Sequence, residues 1–290
     1  MSNLQAVNLF NIQGWVASPN SGGGTGVGRM MATCLAQNGA RVYITGRRLE
    51  KLQETAQGFS NIFPIVADST KKEDIECIVA EIGKKEDHVD VLINNSGVTT
   101  VHAQLDAEDN SPEAVSKRMF EQSFDDWKDP YAINVAAMYF TTAAFIPLLV
   151  NAQKYRDESG NVINVTSVSG IIKNSQDGQF SYNSNKAAAV SLTNQLALEL
   201  ARPHLGIRVN QLALGYFPSQ DTQMTSIETE GEKDHFRKNW NVPFGRAGRA
   251  DDISKVVLNL ATNGYQSGST QVVDGAYILA SDHLHLDKYV

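Results

Sequence analysis

The stretch "SPNSGGGTGVG", residues 18–28, places five glycines in eleven positions. It begins at the end of a strand-like "GWVAS" and runs into a helical pattern near Arg29, and Gly22, Gly26 and Gly28 give it the spacing GxxxGxG. A strand, a glycine turn and a helix N-terminus direct backbone N–H groups and the positive end of the helix dipole at one point, where a pyrophosphate can bind. A glycine cluster alone is equally well a flexible turn, so the rest of the chain must decide.

Short apolar runs alternate with helical patterns along the chain. Each run is apolar at nearly every position, as parallel strands covered on both faces must be. This order predicts right-handed crossovers and a doubly wound α/β fold, with helices on both sides of a parallel sheet. Because no linker-like or repeated segment interrupts the alternation, one domain over residues 1–290 is expected. The runs are "RVYIT" (41–45), "NIFPIVA" (61–67), "VDVLINN" (89–95), "NVINVTS" (161–167), "GIRVNQLA" (206–213) and "TQVVDG" (270–275).

Composition restricts the class of partner. The 290-residue chain has a formal net charge of -7, which offers no electrostatic surface for nucleic acid, so a small molecule is the expected partner. Its two cysteines lack ligand spacing, so they indicate neither a disulfide framework nor a metal site, and they fit a reducing compartment such as the cytoplasm. No run combines the length and composition of a membrane span, so a protein without a membrane anchor is expected.

Two arginines follow the second run, in "RVYITGRR". In dinucleotide-binding folds this position contacts the adenosine ribose, and an acid there binds the 2′-hydroxyl. Here Gly46, Arg47 and Arg48 replace the acid, and guanidinium groups favour a 2′-phosphate, which predicts NADP(H) rather than NAD(H). The alternative is that Arg47 and Arg48 only begin the solvated helix "RRLEKLQETA".

The pentapeptide "YNSNK" separates Tyr182 and Lys186 by four positions, so both side chains lie on one face of a helix. An ammonium beside a phenol is expected to lower the pKa of the phenol toward the range useful for proton transfer. Upstream, the run "NVINVTS" ends on Ser167, whose hydroxyl can bind a substrate oxygen, with Ser169 as the competing candidate. YxxxK arises often by chance, so only its combination with the other motifs indicates chemistry.

These motifs together resemble the short-chain dehydrogenase/reductase family. The family's TGxxxGxG, NNAG, strand-end serine and YxxxK match the chain in order between residues 21 and 186. The resemblance implies a Rossmann-type sheet of about seven parallel strands, a nicotinamide dinucleotide and a catalytic tetrad of Asn134, Ser167, Tyr182 and Lys186. In that tetrad Tyr182 exchanges a proton with the substrate oxygen, Ser167 positions that oxygen, Lys186 also binds the nicotinamide ribose, and Asn134 holds a water.

The resemblance also assigns the contacts of the dinucleotide. The family's NNAG is present as "NNSG" at residues 94–97, and Asp68 occupies the position of an acid that contacts adenine. No metal is expected. The cofactor-binding residues implied are Ser21, Gly22, Thr25, Gly26, Val27, Gly28, Arg47, Arg48, Asp68, Ser69, Asn95, Ser96, Gly97, Tyr182, Lys186, Gly215 and Phe217.

The first strand departs from the family's pattern. Pro19 cannot donate to a central ladder, so the strand is expected to end near Ala17 and the glycine loop to be about one residue longer than usual. Two irregular segments, residues 99–130 and 216–249, follow strand ends and are the expected substrate rim.

The leading hypothesis is NADPH-dependent reduction of a carbonyl on a small, moderately apolar molecule, or the reverse oxidation. The alternatives are a non-redox enzyme of the same fold, performing cyclisation, epimerisation or dehydration, and a dinucleotide-binding regulator. The resemblance further implies a homo-oligomer, a dimer or tetramer. The apolar run "AAMYFTTAAFIPLLV" (136–150) fits such an interface and a buried core helix equally well.

Overall fold

The strands of this protein form one parallel sheet. The computed structural model describes residues 4–20, 22–218 and 230–281, and within them seven strands lie in the order β3-β2-β1-β4-β5-β6-β7. The strand order reverses between β1 and β4, which opens a cleft at their carboxyl ends. The predicted Rossmann-type α/β fold is therefore confirmed. The strands are β1 (Val16–Asn20), β2 (Arg41–Gly46), β3 (Ile62–Val66), β4 (Val91–Asn94), β5 (Asn161–Ser167), β6 (Arg208–Leu214) and β7 (Thr270–Val273).

The helices cover both faces of the sheet and bury two apolar cores. One core packs α2, α3 and α10 against the strands, and the other packs α4, α7 and α8 against the opposite face. A π-helical segment, Ala132–Ala136, joins α6 to α7 without a break. The helices are α1 (Ala6–Leu9), α2 (Gly26–Gln37), α3 (Leu49–Ala56), α4 (Lys72–Gly83), α5 (Pro112–Phe120), α6 (Asp125–Tyr131), α7 (Ala137–Asn151), α8 (Phe180–Leu200), α9 (Glu230–Asn239), α10 (Ala250–Thr262) and α11 (Tyr277–Ser281).

Pro19 lies inside the first strand, so the predicted end of that strand near Ala17 is wrong. β1 continues to residue 20, and Pro19 pairs with Ile93 of β4. The backbone of a strand faces its two neighbours alternately, and the carbonyl of Trp15 accepts from Arg41 on the β2 side, so residues 17 and 19 face β2 as well. The ladder with β2 ends at Ala17, and the missing N–H of proline therefore removes no bond of that ladder.

The apolar run at residues 136–150 forms most of α7, and its inward face belongs to the core. Phe145 and Leu149 are fully buried, whereas Tyr139 and Phe140 remain about two-fifths exposed on the other face. By length and composition the continuous helix Asp125–Lys154 would suffice to cross a membrane, contrary to the expectation from the sequence. The core helix of a globular domain can have the same length and apolar composition, and the buried inward face of this helix is what a core helix requires.

Candidate active site

The carboxyl ends of the strands surround an elongated cavity of about 560 Å³. It runs from the loops after β2 and β3 to the loops after β5 and β6. Of the seventeen predicted cofactor-binding residues, Ser21 lies outside the described residues and Gly28 lies behind the cavity wall. The rest line the cavity: Gly22, Thr25, Gly26, Val27, Arg47, Arg48, Asp68, Ser69, Asn95, Ser96, Gly97, Tyr182, Lys186, Gly215 and Phe217.

The glycine loop presents the start of α2 to this cavity. Gly22 and Gly26 have φ of 72° and 50°, a backbone region that side chains disfavour. Thr25 occupies the N-cap position of α2 with an extended backbone, and its side chain accepts no hydrogen bond from the helix. The first N–H groups of α2 are therefore left for a ligand. Backbone donors at a helix N-terminus fit the pyrophosphate of a dinucleotide.

Gly28, which the resemblance assigned to cofactor binding, has a packing role. A Cβ on Gly28 would overlap the carbonyl oxygen of Gly22 and would lie 2.6 Å from the side-chain nitrogen of Asn95. The absence of a side chain here lets α2 approach the loop and the end of β4. Gly28 therefore shapes the glycine loop without lining the cavity.

Gly28→Ala is expected to weaken NADPH binding about tenfold and to lower the melting temperature, because the added methyl displaces the Gly22 carbonyl and overpacking costs about 1–3 kcal/mol. Fluorescence titration and a thermal melt measure the two effects. Gly83→Ala at the end of α4 is the matched control, since its Cβ meets open space. Unchanged NADPH affinity in Gly28→Ala would contradict the packing role.

The loop is also held against α3, which sequence reasoning missed. The hydroxyl of Thr55 in α3 donates to the carbonyl of Gly24 at 3.1 Å. On the β2 side, the N–H of Gly23 donates to the carbonyl of Thr45 at 3.1 Å. A Cβ on Gly24 would lie 3.0 Å from the backbone of Lys51. Contacts between segments some thirty residues apart leave no local pattern, so they could not be predicted from the sequence.

Two arginines and an acid lie at the β2–β3 end of the cavity. Arg47, Arg48 and Asp68 all line it, as does Lys51, which sequence reasoning did not select. Burial raises the pKa of Asp68, but hydrogen bonds from Thr70 and the charge of Arg47 outweigh burial and the net shift is downward. The acid is thus ionised beside Arg47, and the surplus of positive charge here fits a phosphate.

The other end of the cavity brings together Ser167, Tyr182 and Lys186. Ser167 ends β5, and Tyr182 and Lys186 project from the first turns of α8, as predicted from their spacing. The Nζ atom of Lys186 lies 5.8 Å from the centre of the Tyr182 ring and donates to the Val165 carbonyl at 3.3 Å. These three side chains come from two adjacent elements that meet at the cleft.

The pKa shifts at this end differ from the expectation. Burial raises the pKa of Tyr182, and a hydrogen bond to Ser167 opposes that rise without cancelling it. The prediction that Lys186 lowers the pKa of the Tyr182 phenol is therefore wrong, because the net shift of that pKa is upward. Lys186 is 4% exposed, and burial lowers its own pKa to about 8. Sequence spacing places the two groups together but does not reveal how deeply each is buried.

Asn134 lies in the π-helical segment and does not line the cavity. Its Oδ1 accepts from the N–H of Val98 at 3.0 Å, and its Nδ2 donates to the carbonyl of Val98 at 3.2 Å. Both polar atoms are thus tied to the loop after β4. A Cβ on Gly97 would touch both Asn134 and the Lys186 ammonium, which shows how closely the three groups meet. The relay role implied for Asn134 stays a prediction.

Ser169, the competing serine, faces away from the cavity. Its hydroxyl donates to Gln176 at 2.7 Å, and its N–H donates to the Ser167 hydroxyl oxygen at 3.2 Å. The structure therefore brings Ser167, and not Ser169, to the cleft.

A buried polar network fixes the elements behind the site. The amide nitrogen of Asn94 donates to Thr142 at 2.9 Å and to Asn164 at 2.8 Å, and Asn164 in turn donates to Thr193 at 3.0 Å. These four side chains belong to β4, α7, β5 and α8, and all are buried. The network sets the position of α8, and with it the direction of Tyr182, relative to the sheet.

The predicted substrate rim is only partly described. From the segment 99–130, Thr99 lines the cavity, and Ala103 and Asp106 contact the loop before α8. From the segment 216–249, Phe217 lines the cavity and Tyr216 packs on Trp240 with ring centres 4.6 Å apart. Residues 219–229 lie outside the described residues. Among the described residues, no group of three or more His, Cys, Asp or Glu side chains is arranged to hold a metal ion.

The sequence profile described as short chain dehydrogenase matches residues 21–233. The chain belongs to the short-chain dehydrogenase/reductase family. One short-chain dehydrogenase/reductase, PhomF of Diaporthe leptostromiformis, is 32% identical over 282 residues, covering 94% of each chain. The 3-oxoacyl-[acyl-carrier-protein] reductase FabG of Chlamydia pneumoniae is 30% identical over 261 residues, which cover 88% of this chain and 94% of FabG.

A solved structure of this family is also similar to the protein. The Pseudomonas aeruginosa RhlG/NADP active-site complex superposes with a TM-score of 0.75 at 26% identity, covering 93% of this chain and 98% of RhlG. Short-chain dehydrogenases use nicotinamide dinucleotides, and the glycine loop, the exposed start of α2 and the cluster of arginines in this structure fit such a group. The protein is thus an oxidoreductase of this family.

Proposed function

We propose that the protein is an NADPH-dependent reductase of a carbonyl on a small, moderately apolar molecule, with the reverse oxidation available at the same site. The observation that carries this proposal is the single cavity that has Arg47 and Arg48 at one end and Ser167, Tyr182 and Lys186 at the other. A relative named as a 3-oxoacyl reductase and a neighbour solved as an NADP complex support it. A galactitol 2-dehydrogenase of Cereibacter sphaeroides, 30% identical over 275 residues, supports the reverse direction.

Different groups of residues bind the different parts of the dinucleotide. The N–H groups at the start of α2 bind the pyrophosphate, Arg47 and Arg48 bind the 2′-phosphate, and Asp68 and Ser69 lie at the adenine end. Asn95, Ser96 and Gly97 line the middle of the cavity, and Lys186, Gly215 and Phe217 lie at the nicotinamide end. When bound, a reduced nicotinamide supplies the hydride that a carbonyl carbon accepts.

The substrate oxygen takes its proton from this chain. A tyrosine phenol is protonated at neutral pH and burial raises the pKa of Tyr182 further, so the phenol is ready to donate to the oxygen of a carbonyl being reduced. The Ser167 hydroxyl donates a hydrogen bond to the same oxygen and holds it near the phenol. Lys186, charged below its pKa of about 8, stabilises the phenolate that remains.

Isotope transfer tests the proposal directly. The protein is incubated with NADPH deuterated at the reactive position of the nicotinamide and with a panel of ketones, including 3-oxoacyl thioesters, and the alcohols are analysed by mass spectrometry. We expect one deuterium on the carbinol carbon of at least one product. Turnover without deuterium in the product would indicate non-redox chemistry, and NADPH binding without any turnover would indicate a regulator.

Arg47→Ala is expected to raise the Kd for NADPH by roughly tenfold or more and to change that for NADH little, since charge-assisted hydrogen bonds contribute about 1.5–3 kcal/mol each. Fluorescence titration with both nucleotides provides the measurement. Arg202→Ala, which removes an exposed arginine after α8, controls for net charge. An equal loss of both nucleotides, or no loss of either, would contradict the 2′-phosphate role.

We further propose that residues 1–290 act as one soluble cytoplasmic domain that assembles into a homo-oligomer. Two free cysteines among the described residues, one buried and one exposed, are compatible with a reducing compartment. The exposed Tyr139 and Phe140 on α7 provide an apolar surface for a second copy. Sedimentation velocity of the full chain measures the assembly.

A further inference from the structure

The loop beside the proposed catalytic residues contains two residues with a strained backbone. Among the described residues, five that are not glycine have a left-handed backbone: Gln104, Gln176, Asp177, Asn241 and Ala276. Such residues persist where the surroundings hold them, and they cluster at functional sites. Gln176 and Asp177 lie in the loop that connects Ser167 to Tyr182, with φ of 54° and 63°.

Neighbouring segments hold this loop in place. The N–H of Ala103 donates to the Gly178 carbonyl at 3.2 Å, and the N–H of Asp106 donates to the Asp177 carboxylate at 2.8 Å. Gln104, between these two donors, is itself left-handed. The loop before α8 and the segment after β4 therefore determine each other's conformation.

The side chain of Gln176 makes the link to the catalytic serine. Its Oε1 accepts from the Ser169 hydroxyl at 2.7 Å, and its Nε2 donates to the Tyr277 hydroxyl of α11 at 3.1 Å. The N–H of Ser169 donates in turn to the Ser167 hydroxyl oxygen at 3.2 Å. Ser169 thus links two hydrogen bonds, one at its hydroxyl toward Gln176 and α11 and one at its N–H toward the serine at the cleft.

We propose that Gln176 is a positioning residue for Ser167, which it orients through Ser169, and that Tyr277 couples this orientation to α11. The Ser167 hydroxyl has one proton and competing acceptors, among them the Leu214 carbonyl at 3.4 Å. The bond from the Ser169 N–H occupies one lone pair of the Ser167 oxygen, which restricts the rotation of its proton and polarises the O–H toward a substrate oxygen. The inference rests on the proposed reductase function.

The conformation of Gln176 agrees with this role. Glycine would adopt a φ of 54° without steric cost, but it has no carboxamide to join Ser169 and Tyr277. The position therefore combines a disfavoured backbone with a side chain whose acceptor and donor are both used. A role in folding alone would favour the less strained residue.

Three variants of Gln176 separate positioning from folding. Gln176→Leu removes both hydrogen bonds at similar size, and we expect kcat for ketone reduction to fall about tenfold, a part of the 10²–10³-fold cost of losing an oxyanion donor. Gln176→Glu still accepts from Ser169 and accepts from the Tyr277 hydroxyl in place of donating, so it is expected to recover most of the rate. Gln176→Gly relieves the backbone strain, and we expect it to be at least as thermally stable as the wild type and as slow as Gln176→Leu.

The affinity for NADPH is expected to be unchanged in all three, and Gln53→Leu on the exposed surface of α3 is the control for a glutamine replaced by leucine. A wild-type rate in Gln176→Leu, or a rate that follows thermal stability across the series, would overturn the proposal. A readout without turnover is the pKa of Tyr182, measured as the tyrosinate absorbance lost in Tyr182→Phe. Since the hydrogen bond with Ser167 lowers that pKa, Gln176→Leu is expected to raise it, and an unchanged value overturns the proposal even if no ketone is reduced.

Discussion

Tyr182→Phe is expected to lower kcat for carbonyl reduction by on the order of a thousandfold, because it removes the proposed proton donor and general acid catalysis contributes about 10²–10⁴-fold. The side chain lies in the cleft, and its ring is retained in the variant, so the cavity keeps its shape. Steady-state kinetics at neutral pH measure the loss. The Kd for NADPH is expected to change less than threefold, since a missing hydroxyl leaves the pyrophosphate and 2′-phosphate sites intact.

The pH dependence of the reduction rate tests the role of the Tyr182 phenol in a second way. The raised pKa of Tyr182 keeps the donor protonated through neutral pH, so its ionisation is not expected to limit reduction there. The group that titrates first on the alkaline side is Lys186, with a pKa of about 8. A rate of reduction that stays constant well above pH 8 would contradict the role of the Lys186 charge, and substantial activity in Tyr182→Phe would contradict the role of the phenol.

Lys186→Met is expected to abolish most activity and at the same time to stabilise the fold at neutral pH. Burial lowers the pKa of Lys186 from its ordinary value of 10.5 to about 8, so keeping the charged form buried costs about 3 kcal/mol at about 1.4 kcal/mol for each pH unit. Below pH 8 the lysine is charged in both the folded and the unfolded chain, and the full cost is present. Urea unfolding at pH 7 is therefore expected to show the variant as the more stable protein.

The sign of the pH effect distinguishes this cost from a change in packing. Between pH 8 and 10.5 the folded protein has released the proton while the unfolded chain retains it, so the wild type gains stability relative to Lys186→Met as pH rises. The measurement is the difference in unfolding free energy between the two proteins at pH 7 and at pH 9.5. Lys255→Met, at an exposed position of α10, is the control, and a difference independent of pH would contradict the burial cost.

A stability cost at Lys186 is consistent with selection for the function proposed for this position. Among the described residues the Lys186 ammonium donates one hydrogen bond, to the Val165 carbonyl, and Lys186 lines the cavity. The bound dinucleotide would supply further partners for its ammonium. Binding of NADPH should accordingly stabilise the wild type more than Lys186→Met.

The parts of this protein with local periodicity were predictable. The runs at residues 161–167 and 41–45 coincide with β5 and with all but one residue of β2, because both runs are rich in β-branched residues, which favour strands. The glycine loop and the YxxxK pair were found for the same reason, since each depends on spacing within one turn or one helix. The resemblance to the family added Asn134 and the cofactor contacts, which periodicity does not indicate.

The errors came from relations between distant segments. Whether Pro19 ends the strand depends on which neighbour it faces, and that depends on where the ladder with β2 stops. The pKa of Tyr182 depends on burial contributed by other elements. The bond between Asp106 and Asp177, for which no prediction was made, joins residues 71 positions apart. None of these relations leaves a pattern in the residues nearby.

The π-helical segment at Ala132–Ala136 limits how the length of this chain can vary. Each residue turns an α-helix by about 100°, so deleting or adding one residue there would rotate α6 by that angle relative to α7. Such a rotation would separate the Asp126 carbonyl from the Ser181 hydroxyl, now 2.9 Å apart, at the residue before Tyr182. Residues 107–110 lie between the bond of Asp106 to Asp177 and the start of α5 and have no helical phase to keep, so insertions there are expected to be tolerated far better. Divergent copies of this gene should therefore differ in length before α5 and keep a constant count from Asp126 to Asn134.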